Sequence, residues 1–137
     1  MIERLVAAVI LLAVGVIAYR LMIRQQIRQT TALTPTDPLL SGLKPGVPTI
    51  LYFTTPTCIP CKTQQTPALQ KLQGQLGEGI QIVRVDATEQ PEAAQRWCVF
   101  SAPTTIVING LGKTLAVNHG VAEVDKLLAQ LQLRATA

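Results

Sequence analysis

The first thirty residues have a different pattern of apolar and polar positions from the rest of the chain. Leu5 to Ile23 is apolar except for Tyr19 and Arg20, and it shows no amphipathic stripe. About 20 helical residues cross a hydrocarbon core of about 30 Å, so this segment is just long enough. Arginine and tyrosine near the end of a span both reach the headgroup level. The pattern predicts one transmembrane helix, with residues 5–23 in the membrane.

Basic residues flank the end of this apolar segment. Arg20, Arg24 and Arg28 are spaced four apart, so a continuing helix places them roughly on one face, against anionic lipid. The positive-inside rule favours a cytoplasmic domain over an extracytoplasmic one in this single-pass protein. The difference in positive charge between the two sides of the apolar segment is only about one. The alternative to an anchor is a cleaved signal peptide. Against it stand the length of the apolar run and the arginine that follows it directly.

Residues 29–47 resemble a linker, because they are rich in Thr, Pro, Gly and Leu and contain several helix-breaking prolines. Within them, Asp37 to Leu43 is predicted to form a short helical turn on the domain. We therefore divide the chain into an anchor with a basic juxtamembrane helix (1–28), a linker (29–47) and one folded domain (48–137).

From Thr49 onward, apolar β-rich runs alternate with helical stretches. The first strand is continuously apolar, as a central buried strand should be. The order β-α-β-α-β-β-α requires a mixed sheet with helices on both faces. The predicted elements are the strand Thr49–Phe53, a helix Pro60–Gly74 kinked at Pro67, the strand Ile80–Val85, a helix capped by Thr88 and ending at Trp97, the strand Thr104–Ile108, a hairpin turn at 109–112, the strand Lys113–Val117 and an amphipathic helix Val121–Leu133.

The charge is concentrated near the amino terminus. The net charge is +4, and residues 1–28 hold four arginines against Glu3 alone. From Gly46 onward, basic and acidic residues nearly balance. Aromatic residues make up 4% of the chain and are not interleaved with basic clusters, which argues against nucleic acid as a partner.

Two of the three cysteines, Cys58 and Cys61, form a Cys-x-x-Cys pair that follows the first buried strand after a short connector. Cys58 falls at the start of a helix, where unpaired N–H groups and the helix dipole favour a thiolate. A thiol with a lowered pKa is the better nucleophile at neutral pH. Cys61 lies one turn later on the same face, close enough for a disulfide and suited to be the resolving thiol.

A Cys-x-x-Cys pair has three other common uses. A structural disulfide gains little from so short a loop. Zinc needs further ligands, for which Cys98 and His119 are the available soft candidates. Covalent haem attachment is excluded, because Lys62 stands where a histidine is required. The pattern predicts a redox dithiol with no metal and no organic cofactor. Cys98 is interpreted as a small core residue or an auxiliary thiol, and His119 as a loop residue or part of the site's rim.

From about Pro48 to Leu133, the chain resembles the short form of the thioredoxin superfamily, which lacks the first strand and helix. The resemblance implies a thioredoxin-like α/β fold, protein disulfides as substrates, Cys58 as nucleophile and Cys61 as resolving thiol. It also implies a cis peptide bond before Pro103, and substrate binding by Ala102, Pro103, Ile59, Pro60 and Gly120. The matching motifs are Cys58-Ile59-Pro60-Cys61-Lys62, Val83-Arg84-Val85-Asp86, Ser101-Ala102-Pro103-Thr104, Asn109-Gly110 and Gly120.

The sequence also departs from the family pattern. Tyr52 stands where thioredoxins carry a buried Asp, which would accept the proton of the second cysteine. Thr54 and Thr57 stand in place of tryptophans, and Pro67 falls one residue later than the usual helix proline.

The function predicted from these features is a membrane-tethered thiol–disulfide oxidoreductase that reduces protein disulfides with electrons from an upstream reductant. Its soluble domain is expected to be monomeric. The alternatives are an extracytoplasmic oxidase or isomerase, a maturation factor that delivers thiols to cytochrome or copper proteins, and a non-enzymatic binding module.

Overall fold

The computed structural model describes residues 1–33 and 36–135. Its first element is a long helix, α1 (Ile2–Leu33), which contains a stretch long and apolar enough to cross a membrane. The side chains of that stretch are not buried against the rest of the protein. By length and composition, α1 fits either a membrane anchor or a signal sequence. Residues 34, 35, 136 and 137, which the sequence analysis assigned to the linker and the domain, lie outside the described residues.

A four-stranded mixed sheet forms the centre of the domain. Its strands are β1 (Thr49–Thr54), β2 (Gln81–Asp86), β3 (Thr104–Ile108) and β4 (Thr114–His119), in the spatial order β2-β1-β3-β4. β1 pairs in parallel with β2, whereas β1–β3 and β3–β4 are antiparallel. All six residues of β1 are buried, because the strand is central and both sheet faces are covered. The predicted mixed α/β sheet is confirmed.

Helices cover both faces of this sheet. α2 (Thr66–Leu76) and α4 (Val124–Ala135) pack on one face, where Leu72 and Leu127 meet Ile50 of β1. α3 (Pro91–Arg96) covers the other face, where Trp97 meets Phe53. Alternate residues of β1 thus point into two separate apolar clusters, as the period of a strand requires. Short 3₁₀ turns lie at Pro38–Leu40 and Gly77–Gly79.

The predicted start of the third helix is wrong. Thr88 does not cap it: the helix begins at Pro91, a residue that fits the first turn because that turn needs no N–H from it. Asp86 instead holds the preceding turn by accepting from the Thr88 hydroxyl, the Thr88 N–H and, at 3.4 Å, the Glu89 N–H. The hydrogen bond from the Thr88 hydroxyl lowers the pKa of Asp86 below its usual value.

Asp37 ties the segment after α1 to the domain. Its carboxylate accepts hydrogen bonds from the Leu39 N–H at 2.9 Å, the Trp97 indole N–H at 2.9 Å and the Arg96 guanidinium at 3.1 Å. The first of these bonds caps the turn Pro38–Leu40, so the predicted helical turn within 37–43 is present. This part of the chain is therefore packed on α3 rather than standing away from the domain.

The last turns of α1 pack on the edge strand β4. The Thr114 N–H donates to the Thr31 hydroxyl at 3.1 Å, and the Thr30 hydroxyl donates to that of Thr114 at 3.0 Å. A helix here covers an edge that would otherwise present unpaired backbone groups. The residues of α1 that become buried or half-buried are spaced 3, 4, 7 and 8 apart, as one helix face requires, and are Ile23, Gln26, Ile27, Thr30 and Thr31.

Candidate active site

Cys58 and Cys61 form a disulfide at the point where the chain leaves β1. The S–S bond is 2.03 Å long and the Cα atoms are 5.3 Å apart. Cys58 is 8% exposed and Cys61 is 1% exposed, so Cys58 is the outer sulfur and Cys61 the inner one. The Cys61 N–H donates to the Cys58 sulfur at 3.2 Å. The same N–H would stabilise a thiolate on Cys58 after reduction.

The loop before β3 lies beside the disulfide. The Ala102–Pro103 peptide bond is cis, as the sequence analysis predicted. Pro103 is buried, and its carbonyl accepts the Gly120 N–H at 2.8 Å. Gly120 has φ of +92°, a conformation that side-chain-bearing residues rarely adopt. The Gly120 N–H therefore holds the backbone of this loop at Pro103.

A groove of about 810 Å³ runs between the disulfide and this loop. Its lining includes Cys58, Ile59 and Pro60 from the disulfide segment and Phe100 and Ala102 from the loop. Ile59 is 71% exposed and Phe100 is 87% exposed, so the groove has an apolar rim. Of the site residues predicted from sequence, the structure brings Cys58, Ile59, Pro60 and Ala102 together here. Pro103 and Gly120 are not among the residues that line it.

Phe100 was missed by the sequence analysis. An isolated aromatic residue after a helix is usually read as part of the core, and no periodicity marks it as exposed. The signal that could have found it is its place three residues before Pro103, within the loop that faces the disulfide.

Tyr52 occupies the position of the buried acid and forms a different contact. It is buried on β1, and its hydroxyl donates to the Cys61 carbonyl at 3.1 Å and lies 3.2 Å from the Thr66 hydroxyl. The same carbonyl accepts the Thr66 N–H. Tyr52 thus joins β1 to the backbone of Cys61 through this hydrogen bond.

A π-helical turn, Cys61–Gln65, follows the disulfide directly. Its defining bond joins the Thr66 N–H to the Cys61 carbonyl five residues earlier, one residue more than in an α-helix. Pro67 then lies in the first turn of α2, which follows the π turn with no break in the helical backbone. The additional residue before Pro67 is accommodated in this wide turn next to Cys61.

Gln65 at the end of the π turn is fully buried and was also missed. Its amide donates to the Ala122 carbonyl at 3.0 Å and accepts the Ala122 N–H at 2.8 Å. This pair of bonds joins the turn after Cys61 to the segment after Gly120. A polar residue at this position gives no signal in the sequence, because the pattern of a helix assigns polar residues to solvent.

Cys98 and His119 both contact α1. Cys98 follows α3 with φ of +56°, lines the groove, and its thiol donates to the Gln29 side chain at 3.5 Å. It is partly exposed rather than enclosed in the core. His119 is exposed at the end of β4, and its Nε2 lies 3.2 Å from the Gln26 side-chain oxygen.

Comparison with known proteins decides the family. The family model for thioredoxin matches residues 42–133, which is more than half of the chain. The chain belongs to the thioredoxin family. The Cys58–Cys61 disulfide lies within the matched residues.

Individual thioredoxin relatives match over shorter stretches. A thioredoxin of Bacillus subtilis is 38% identical over 56 residues, which cover 41% of this chain and 53% of that protein. A prophage-derived thioredoxin-like protein of the same species, YosR, is 35% identical over 87 residues, covering 61% of this chain and 98% of that protein. The chain spans about half the length, or less, of the first curated thioredoxins it matches.

Solved thioredoxin structures share the fold. Thioredoxin-2 of the malaria parasite, described as a component of its protein secretion machinery, superposes with a TM-score of 0.62 at 25% identity. The match covers 69% of this chain and 91% of that one. Fasciola hepatica thioredoxin gives a TM-score of 0.56 at 26% identity, over 65% of this chain and 82% of the other.

Proposed function

We propose that this protein is a membrane-tethered thiol–disulfide oxidoreductase that reduces protein disulfides through Cys58 and Cys61. The observation that carries the proposal is the asymmetry of the pair. Cys58 opens onto a groove, whereas Cys61 lies beneath it with its N–H directed at the Cys58 sulfur. One sulfur is therefore accessible to a substrate, and the other is within reach only of the first.

The reaction begins with the reduced pair. The Cys58 thiolate attacks one sulfur of the substrate disulfide, that bond breaks, and the other substrate sulfur leaves as a thiolate that takes up a proton. The Cys61 sulfur, after losing its proton, attacks the Cys58 sulfur of the mixed disulfide. The second substrate thiol leaves, and Cys58–Cys61 is oxidised. Two electrons have passed to the substrate, and an upstream dithiol reductant must restore the pair.

The substrate binds in the groove as an extended chain. The backbone of Ala102 at the loop pairs with it as an added strand would, while Ile59 and Pro60 contact it on the disulfide side. Pro103 and Gly120 hold the Ala102 backbone in place, since the Gly120 N–H binds the Pro103 carbonyl at 2.8 Å.

The tether is residues 5–23 of α1. Its large apolar side chains from Leu5 to Met22 are exposed, which is unfavourable in water and favourable in lipid. The docking of residues 23–31 on the domain supports an anchor that stays attached. The balance of arginines supports a cytoplasmic domain.

Insulin reduction by dithiothreitol tests the proposed activity in the full-length protein. The unmodified protein should accelerate insulin precipitation, and Cys58→Ser and Cys61→Ser should both reduce the rate to that of dithiothreitol alone. Lys71→Ala, on the exposed side of α2, is the matched control and should keep the full rate. Unchanged activity in Cys58→Ser would sink the proposed mechanism.

The reduction potential tests the direction of the reaction. Pro60 between the cysteines resembles reducing thioredoxins, so a value near −270 mV is expected, whereas a value near −120 mV would indicate an oxidase. Equilibration of the pair with glutathione or dithiothreitol redox buffers gives this potential directly.

A further inference from the structure

The docked part of α1 begins where its apolar span ends. Ile23 is the last apolar residue of the predicted span and is already half-buried by the domain. Gln26, one turn later, is 6% exposed, and Thr30 is fully buried. At about 1.5 Å per helical residue, Gln26 lies only about 5 Å beyond Ile23 along the helix axis. The domain thus contacts α1 immediately outside the membrane-spanning segment.

The Gln26 side chain connects α1 to the groove. Its amide N–H₂ donates to the Cys98 carbonyl at 2.9 Å, and Cys98 lines the groove opposite Cys58. Its amide oxygen lies 3.2 Å from His119 Nε2, next to Gly120, whose N–H binds the Pro103 carbonyl. Gln29, one turn further, accepts from the Cys98 thiol. One face of α1 is therefore attached to both the wall and the supporting loop of the groove.

The groove itself carries no charge. Every residue lining it, all within the described part of the chain, is apolar or neutral, and its rim is formed by Ile59 and Phe100. Such a surface accepts an uncharged, apolar segment in extended conformation. Membrane proteins carry uncharged aromatic residues, tryptophan and tyrosine, at the membrane–water interface.

We infer that the substrates are membrane proteins whose disulfides lie close to the bilayer surface. This inference rests on the proposed function and on α1 as a retained anchor. Because α1 is docked rather than joined by a free linker, the groove stays at a fixed, short height above the membrane. A disulfide presented at that height meets Cys58 at a high effective concentration, whereas one held far from the surface does not.

The test uses the full-length protein in vesicles of phosphatidylcholine and phosphatidylglycerol. Two single-pass test substrates carry the same disulfide-closed loop, placed either 5 or 40 residues from the end of their apolar span. The reduced enzyme is added in the same membrane, and free thiols are followed by gel shift after maleimide labelling. The near substrate should be reduced about tenfold faster than the far one.

A matched pair of insertions tests whether the fixed height is responsible. Ten Gly-Ser residues between Arg24 and Gln25 separate the span, with Ile23, from the four other docking residues Gln26, Ile27, Thr30 and Thr31. This insertion should bring the two rates within about twofold. The same ten residues ahead of Met1 should leave the preference unchanged. Insulin reduction is measured for all three proteins.

The outcomes separate the two proposals. Insulin reduction with equal rates on near and far substrates in the unmodified protein would overturn the inference and leave the proposed function standing. An unaltered preference after the insertion at Arg24 would overturn it as well. Absence of insulin reduction in every protein would remove the proposed function, and the inference with it.

Discussion

Tyr52 shows how one side chain can replace another in a buried position without taking over its chemistry. Its hydroxyl donates to the Cys61 carbonyl and contacts Thr66, so it holds the backbone of the second cysteine. A buried carboxylate would instead offer a proton acceptor near the Cys61 sulfur. The replacement therefore exchanges a group suited to proton transfer for one suited to positioning.

Tyr52→Phe removes this hydroxyl and keeps the ring. The free energy of unfolding should fall by about 1 kcal/mol, since the Cys61 carbonyl keeps its bond to the Thr66 N–H. Chemical denaturation in detergent micelles, followed by the fluorescence of the single tryptophan, measures the change. A loss above about 3 kcal/mol would contradict the expectation that the Thr66 N–H alone satisfies the Cys61 carbonyl.

Asp37→Ala should have a larger effect. It leaves the fully buried Trp97 indole N–H without its acceptor and removes the partner of Arg96. Arg96 is 39% exposed, so water screens part of the ion pair, and we expect a loss of about 2–4 kcal/mol in the same denaturation experiment. Glu123→Ala, at an exposed carboxylate, is the control and should change stability by less than about 0.5 kcal/mol. Equal losses in both variants would contradict this role of Asp37.

Among the elements, the strands were the most predictable. The apolar runs predicted β3 to the residue and β1 to within one, because buried strands carry a continuous apolar pattern. The start of α3 was mispredicted because Thr88 has the composition of a cap but is engaged by Asp86. The one feature of the sequence that reflects the π turn is Pro67, which lies one residue later than the usual helix proline of the family. A single extra residue does not reveal whether a helix absorbs it as a kink or as a wide turn.

The docking face of α1 could not be predicted, because three of its five residues are polar. Gln26, Thr30 and Thr31 appear in the sequence as a solvated helix face, and nothing local shows that their partners lie about 70 to 90 residues away. The absence of an apolar stripe concealed a helix–domain interface.

Gln26→Ala tests that interface. Loss of its hydrogen bonds to the Trp97 and Cys98 carbonyls should raise the hydrogen-exchange rate of the backbone amides of residues 97–99 and lower stability by about 1–2 kcal/mol. Gln25→Ala, on the exposed face of the same turn, should change neither. If the two variants behave alike, the docking is not formed in solution.

At the scale of the whole molecule, the sequence was sufficient to predict the fold and the disulfide. It was not sufficient to predict where the disulfide lies relative to the membrane. The fold was predicted from the alternation of strands and helices, and the pairing of Cys58 with Cys61 was predicted from their separation of three residues. Asp37, Arg96 and Trp97 form a cluster that joins two parts of the chain about 60 residues apart, so no short window contains it. Phe100 lies on the groove rim because of the path of the loop before β3, which the sequence does not reveal.

Membrane topology is a property of the complete chain. A carboxyl-terminal reporter that works only in the cytoplasm should be active, and one that works only after export should be inactive. The reason is that Arg20 near the end of the span and Arg24 and Arg28 after it outnumber Arg4 before it. Activity confined to the outside would reverse the orientation and favour an oxidase or isomerase. The mass of the protein extracted from membranes should be that of the full chain; a shortened mass would identify α1 as a signal sequence.

Trapping the mixed disulfide tests the central claim most directly. In the Cys61→Ser variant, the second step is blocked, so a protein carrying a disulfide should remain covalently attached to the enzyme. Mass spectrometry of the non-reduced, proteolysed complex should locate the bond at Cys58, and its reduction by dithiothreitol should release both partners. A mixed disulfide located at Cys98 would contradict dithiol exchange through this pair. Failure of Cys61→Ser to form any adduct, so that it behaves like Cys58→Ser, would contradict it as well.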